Sequence, residues 1–284
     1  MVFSPDGNRL AVTGNAAPAP VLIDVNSGRV EERLTGGGHR GEVSSMVFAP
    51  DGTRLVTGGN RDGQAIVWDT QTGRAIRHLQ DPTTNEQQAI PFAVIVGWSP
   101  DGSIVATGGG QGRILLWRTS DWRQVGALPA DTSWVYCMAF SPDGSRLAAG
   151  GVGERQATIW DVASRKLLSR LPHPNFVTSV AFDPAGRTLA TSASDFKIRL
   201  WDLTSQRQIG RPLPGSEAGS GTNVSAFDPS GNHLIAVYDS GAAFVWDMDL
   251  DHWKQQACAV VGRSLTRKEW TELLPDRRYQ PACR

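Results

Sequence analysis

Six times along the chain an aromatic residue runs into a four-residue turn. The turns are Ser4-Pro5-Asp6-Gly7, Ala49-Pro50-Asp51-Gly52, Ser99-Pro100-Asp101-Gly102, Ser141-Pro142-Asp143-Gly144, Asp183-Pro184-Ala185-Gly186 and Asp228-Pro229-Ser230-Gly231. The aromatics before them are Phe3, Phe48, Trp98, Phe140, Phe182 and Phe227, and successive ones lie 45, 50, 42, 42 and 45 residues apart. Proline presets φ and glycine accepts positive φ, so each turn reverses the chain. A unit that recurs at such a period is one supersecondary element, and it buries its faces only by stacking on its neighbours.

The fifth copy shows what the unit is. Val177, Val180 and Phe182 suit a strand, and Thr188 to Thr191 make a second. Ser194-Asp195 turns the chain again, and Ile198, Leu200 and Trp201 make a third. Trp68, Trp117, Trp160, Trp201 and Trp246 close the third strands, each followed by Asp except at Arg118, while the first copy has Ile23-Asp24. A period of roughly 40–45 residues with four strands is the signature of a propeller blade. The expectation is an all-β chain of six blades over residues 1–249, the first lacking most of its inner strand and the last its outer one.

These copies resemble the WD-repeat β-propeller family, and the likeness runs to Asp247. The terminal Trp-Asp pairs and Gly38-His39 favour that family over other propellers with similar turns. In this family a strand from before the first blade usually completes the last one. The start at Met1-Val2-Phe3 therefore suggests the C-terminal piece of a longer polypeptide.

Residues 250–284 read as a short helical extension. Asp251 is expected to cap a helix from Trp253 to Val261 that Gly262 ends. Thr266 and Glu269 form a capping box, with Leu265 and Trp270 at the staple positions. Trp253, Val260 and Trp270 are expected to pack back on the last blade and shield its edge. The tail is similar to extensions that follow propellers in large bacterial multidomain signalling proteins. The resemblance implies an upstream kinase or nucleotide-switch ATPase.

In the family, a His, a Ser or Thr, an Asp and the Trp form a buried hydrogen-bonded set. The resemblance assigns His39, Thr57, Asp62 and Trp68 to the second blade, and His173, Thr191, Asp195 and Trp201 to the fifth. Each His lies nine residues before its aromatic, and each Asp six before its Trp. A Thr-His-Asp constellation also suggests a nucleophilic triad. Its recurrence in two blades favours the structural role, since satisfied polar groups under a Trp rigidify a blade. The corresponding His positions elsewhere hold Ala89, Asp131 and Ala218, so packing must hold those blades.

Composition narrows the function. The 28 basic and 28 acidic residues cancel, which argues against nucleic acid as a partner. No apolar run approaches a membrane span. No leader opens the sequence, which suggests a cytoplasmic protein. No phosphate loop, metal-ligand spacing or CxxC is present, so no cofactor or metal is expected. Cys137 is expected in the core, with Cys258 and Cys283 as reduced thiols.

The position six residues before each aromatic opens the inner strand, on the face where this family tends to bind partners. It holds Glu42, Phe92, Trp134, Phe176 and Gly221 in blades two to six. Phe92, Trp134 and Phe176 therefore suggest an aromatic patch near the channel mouth, against the plainer reading that they pack between blades. The resulting expectation is a non-catalytic scaffold that binds a protein partner or an upstream domain of the same polypeptide. The alternative is a hydrolase- or lactonase-like propeller enzyme, which would need acids or metal ligands at that mouth.

Overall fold

The computed structural model describes residues 1–284 apart from 15–18, 36, 61, 81–92, 111, 131, 217–222, 265 and 270–284. Six antiparallel sheets follow one another along the chain. Blade one comprises Val2–Phe3, Arg9–Val12, Val21–Asp24 and Val30–Arg33. Blade two comprises Val43–Phe48, Arg54–Gly59, Gln64–Asp69 and Ala75–Gln80. Blade three has Ile95–Trp98, Ile104–Gly108, Arg113–Arg118 and Arg123–Pro129; blade four has Thr132–Phe140, Arg146–Gly153, Gln156–Asp161 and Leu167–Pro172. Blade five has Val177–Phe182, Thr188–Ala193, Ile198–Asp202 and Arg207–Leu213, and blade six has Asn223–Phe227, His233–Tyr238 and Ala243–Asp247.

The incomplete blades are the expected ones: a two-residue inner strand in blade one, and three strands in blade six. The inner strand of blade four starts at Thr132, two residues ahead of Trp134, and its register shifts twice against its partner. The outer strand of blade two ends at Gln80, and residues 81–92 lie outside the described residues.

Each hydrophobic core lies at a junction between two blades. Ala11 and Leu22 of blade one pack with Phe48, Leu55, Ile66 and Trp68 of blade two. Val56, Ala65 and Val67 of blade two meet Val96, Trp98, Val105 and Trp117 of blade three. The pattern repeats between blades three and four, four and five, and five and six. Strands buried on both faces read as nearly continuous apolar runs, as in Ala65-Ile66-Val67-Trp68.

The repeated turns also touch. A β-carbon on Gly52 would lie 3.8 Å from Pro5 Cδ of the preceding blade, and Gly102, Gly144, Gly186 and Gly231 stand likewise against Pro50, Pro100, Pro142 and Pro184 at 3.9, 3.6, 3.5 and 3.3 Å. All five glycines have positive φ. The turn residue that serves local geometry thus also sets the spacing between blades. Backbone hydrogen bonds cross the junctions too, from Val94 N to Gly59 O at 3.0 Å and from Val135 N to Gly109 O at 3.1 Å.

The extension departs from the sequence reading. Its helix runs Leu250–Val261 and its cap is Asp249, not Asp251: the His252 amide donates to Asp249 Oδ1 at 3.3 Å, the usual reach from cap to third residue. Gly262, at φ 71°, ends it as expected, its amide bonded to Cys258 O at 2.8 Å. The capping box forms, with Thr266 N donating to Glu269 Oε2 at 2.8 Å and Glu269 N to Thr266 Oγ1 at 3.3 Å. Trp253 and Val260 are exposed, at 42% and 87%, so neither is buried against the last blade as expected. Trp270 and Leu265 lie outside the described residues. Cys258 is disulfide-bonded, contrary to the expectation of a free thiol. No described helix is long and apolar enough to cross a membrane.

Close approach at the junctions predicts where a single methyl group is intolerable. A β-carbon on Gly58 would sit 1.9 Å from Val94 O, whereas one on Gly14 meets nothing within 4 Å. Gly58→Ala should cost about 2–3 kcal/mol through strand displacement, and Gly14→Ala should be near neutral. Equilibrium denaturation of both variants checks this.

Candidate functional site

The polar set of blade two is complete. His39 Nδ1 lies 2.8 Å from Asp62 Oδ2, and its Nε2 lies 2.7 Å from Thr57 Oγ1. Trp68 Nε1 donates to the same Thr57 oxygen at 2.9 Å. One arrangement satisfies every atom: Nδ1–H donates to the carboxylate, Nε2 accepts from the threonine hydroxyl, and that oxygen accepts from the indole. Burial alone would raise the Asp62 pKa; the hydrogen bonds from His39 and Gln64 outweigh this and hold the carboxyl below its ordinary value. Thr57 and Trp68 are wholly buried, so Thr57 cannot reach a substrate. The four residues brace the blade.

Blade five forms only part of its set. His173 Nε2 lies 2.7 Å from Thr191 Oγ1, and Trp201 Nε1 donates to Thr191 at 2.8 Å. His173 Nδ1, however, donates to Leu171 O at 2.8 Å, not to Asp195. Asp195 instead takes a fork from Arg199, Nη1 to Oδ1 at 3.1 Å and Nη2 to Oδ2 at 2.5 Å. Three differences explain the exchange. Arg199 stands where blade two has Ile66, two residues before the Trp, and bidentate guanidinium pairing is a strong competitor. Three residues separate Thr191 from Asp195, against four between Thr57 and Asp62. Finally, a β-carbon on Gly59 would lie 2.2 Å from both His39 Nδ1 and Asp62 Oδ1. Ala193 pairs with Val177 as Gly59 pairs with Val43, so blade five carries that methyl group.

A fragment of the pattern also occurs without histidine. Trp117 Nε1 donates to Thr107 Oγ1 at 2.9 Å in blade three. Its sequence signal was the spacing of ten residues, shared with Thr191 and Trp201. Blade four has Ala149 at this place, and the buried Trp160 Nε1 has no partner.

Of the three aromatics expected near the channel mouth, Trp134 and Phe176 are both half-buried, and Phe92 lies outside the described residues. Each of the first two stands immediately ahead of a buried valine of the inner strand, Val135 or Val177. Trp134 meets Tyr136 edge to face, with centroids 5.7 Å apart and planes at 69°. Trp134 pairs across the sheet with Val152, and the Phe176 carbonyl accepts from Ser194 N at 3.0 Å. The two aromatics thus occupy equivalent places in neighbouring blades. No group of three or more His, Cys, Asp or Glu residues among the described residues is placed to hold a metal.

The WD domain, G-beta repeat family matches residues 31–69, 92–118, 122–161 and 165–202, together about half of the chain. The chain belongs to the WD-repeat family. Three of these WD matches begin at the outer strand of one blade, or just before it, and end on the third strand of the next. The sequence repeat therefore straddles the junctions where the cores lie. Relatives include the zebrafish (Danio rerio) WD repeat and SOCS box-containing protein 1, 36% identical over 35% of this chain and 23% of that protein. Rice (Oryza sativa subsp. japonica) small ribosomal subunit protein RACK1y is 29% identical over 44% of this chain and 36% of its own length. Fission yeast (Schizosaccharomyces pombe) protein hir1 is 25% identical over 50% and 17% respectively. The match covers roughly a sixth to just over a third of these relatives' own lengths.

In this WD repeat the histidine of blade five couples stability to pH between about 6.5 and 4. Burial pushes the His173 imidazole down to about 4; the bond to Leu171 opposes this and Arg199 reinforces it. The unfolded chain therefore binds the proton more tightly than the folded one. Stability should be full above about pH 6.5 and fall as pH drops toward 4, by about 3 kcal/mol in all. Denaturant titrations at several pH values check this, and His173→Gln should flatten the slope between pH 6.5 and 4.

Proposed function

We propose that the chain is a non-catalytic protein-interaction propeller, the regulatory or sensing module of a larger bacterial signalling protein. On this reading it binds a protein partner or an upstream domain of the same polypeptide, in the cytoplasm, without nucleic acid, membrane or cofactor. The observation that carries the interaction role is the pair of half-buried aromatics at equivalent rim positions of blades four and five. Aromatic side chains that are partly packed in the free protein serve as interface anchors, because they are held in place before binding. The buried polar sets point the same way, since they brace the blades and are closed to substrate. The neutral charge balance fits a protein partner better than a polyanion. The bacterial signalling context rests on the likeness of the tail alone.

Phe92 is assigned to the same patch by its spacing from Trp98. The partner-binding residues are thus Phe92, Trp134 and Phe176. Truncation of Trp134 or Phe176 to Ala should weaken partner binding by about 2 kcal/mol or more while moving the melting temperature little. Calorimetric titration of the upstream domain into the propeller, beside thermal melts of the same variants, separates the two effects. Large stability losses with unchanged affinity would show the rings to be packing residues.

A further inference from the structure

In blades one to four the second strand opens with Arg9, Arg54, Ile104 and Arg146. The four places are equivalent, because each carbonyl accepts from the amide of the residue that begins the turn, Ser4, Ala49, Ser99 or Ser141. The three arginines face the groove toward the next blade. Arg9 Nη2 donates to Gly52 O at 2.8 Å, across the junction to blade two. Arg54 lies over the ring of Trp122 in blade three, its Cζ 5.6 Å from the centroid. Arg146 lines a cavity of about 180 Å³ together with Leu203 and Gln206 of blade five.

Blade three has Ile104 at this place, and its groove toward blade four holds a cavity of about 380 Å³. Two further replacements leave that groove open. Trp122, which packs into the groove before it, has Arg165 as its counterpart; each stands five residues after a closing Trp, at φ 57° and 60°. Thr70 and Thr119 donate to Gly52 O and Gly102 O at 2.8 and 2.7 Å. Their counterpart in blade four is Val162, and no described residue donates to Gly144 O.

Ile104, Leu116, Val125 and Val162 give the cavity apolar walls, and the exposed carboxylates of Asp101 and Asp143 border it. Hydrogen bonds from Ser103 and Ser99 hold Asp101 below its ordinary value, and those from Ser141 and Ser145 hold Asp143 at about 2. Both are therefore charged at neutral pH. Arg165 is the cation among the lining residues; it lies over Gly126 of the outer strand, where a β-carbon would come 2.5 Å from its Nε, and it pairs with neither carboxylate. Two negative charges thus face one positive charge.

We propose that this cavity binds an arginine side chain of a protein partner, the guanidinium donating to Gly144 O and Asp101 and the stem lying on Ile104 and Val125. The bond to Gly144 O repeats the one that Arg9 makes to Gly52 O two junctions earlier. Arginine suits the site better than lysine, because its planar fork reaches a carbonyl and a carboxylate at once, whereas an ammonium is a compact point charge. The surface lies at the turn end of the strands, away from Trp134 near the start of its inner strand. It is a second contact, independent of the rim.

The test titrates the peptide acetyl-Gly-Leu-Arg-Leu-Gly-amide into the full chain and follows the methyl resonances of Ile104, Val125 and Val162 by NMR. All three should shift along one saturable curve. Citrulline in place of arginine keeps the shape and loses the charge, and should weaken binding by about tenfold or more. Ile104→Arg supplies the arginine that the other grooves carry, and should abolish binding without lowering the melting temperature. Asp101→Asn should weaken binding by a similar factor of about ten, which keeps the test decisive if the first variant does not fold. Trp134→Ala should leave the titration unchanged, so this site and the rim contact can fail separately. No saturable shift up to millimolar peptide, equal affinity for the citrulline peptide, or full binding to folded Ile104→Arg overturns the proposal. Tighter binding of the peptide with glutamate in place of arginine also overturns it, and would make Arg165 the recognising group.

Discussion

Blade-on-blade packing is the constraint on which everything else here depends. A four-stranded antiparallel sheet with apolar residues on both faces has no stable existence alone in water. Its neighbours supply the burial, at roughly 25 cal/mol for each Å² removed from solvent. Each core in this chain accordingly belongs to two blades. The repeated turns serve the same end, since in blades two to six the glycine that closes the reversal rests on the proline of the blade before. Polar groups are admitted to these cores only in bonded sets, and Trp160 shows the exception, a buried indole whose blade offers alanine in place of threonine.

The architecture was legible because it is written several times. Six aromatic-plus-turn units and five closing tryptophans gave blade number, strand order and the two incomplete blades. The polar sets were legible only in part. Two residues ahead of each Trp, the sequence already showed Ile66 in one blade and Arg199 in the other, and that difference decides which partner Asp195 takes. Gly59 against Ala193 was equally visible, but its consequence depends on a contact between three side chains that no spacing rule expresses. The cap of the tail helix lies two residues earlier than expected, because both Asp249 and Asp251 are good caps and only the end of the sheet selects between them. Its disulfide was missed because cysteine spacing alone does not report pairing.

The same comparison links the buried sets to the rim. His173 lies in the segment that crosses from blade four to blade five, three residues before Phe176. It is held at three points: its amide bonds to Arg155 O, its Nδ1 to Leu171 O and its Nε2 to Thr191. Phe176 therefore leaves a fixed base, so the partner binding proposed for it would cost little conformational freedom. Trp134 is fixed by other means. Its inner strand is nine residues long, against six in blades two and five, and pairing with the second strand continues past it to Thr132 and Gly153. One blade holds its rim aromatic by side-chain hydrogen bonds and the next by extra backbone pairing. Two unrelated devices that immobilise equivalent aromatics in adjacent blades are better explained by the position of those rings than by the stability of either blade. Blade five would be as well braced with any residue at 176, and blade four gains its added pairing from the backbone of Trp134, whatever its side chain.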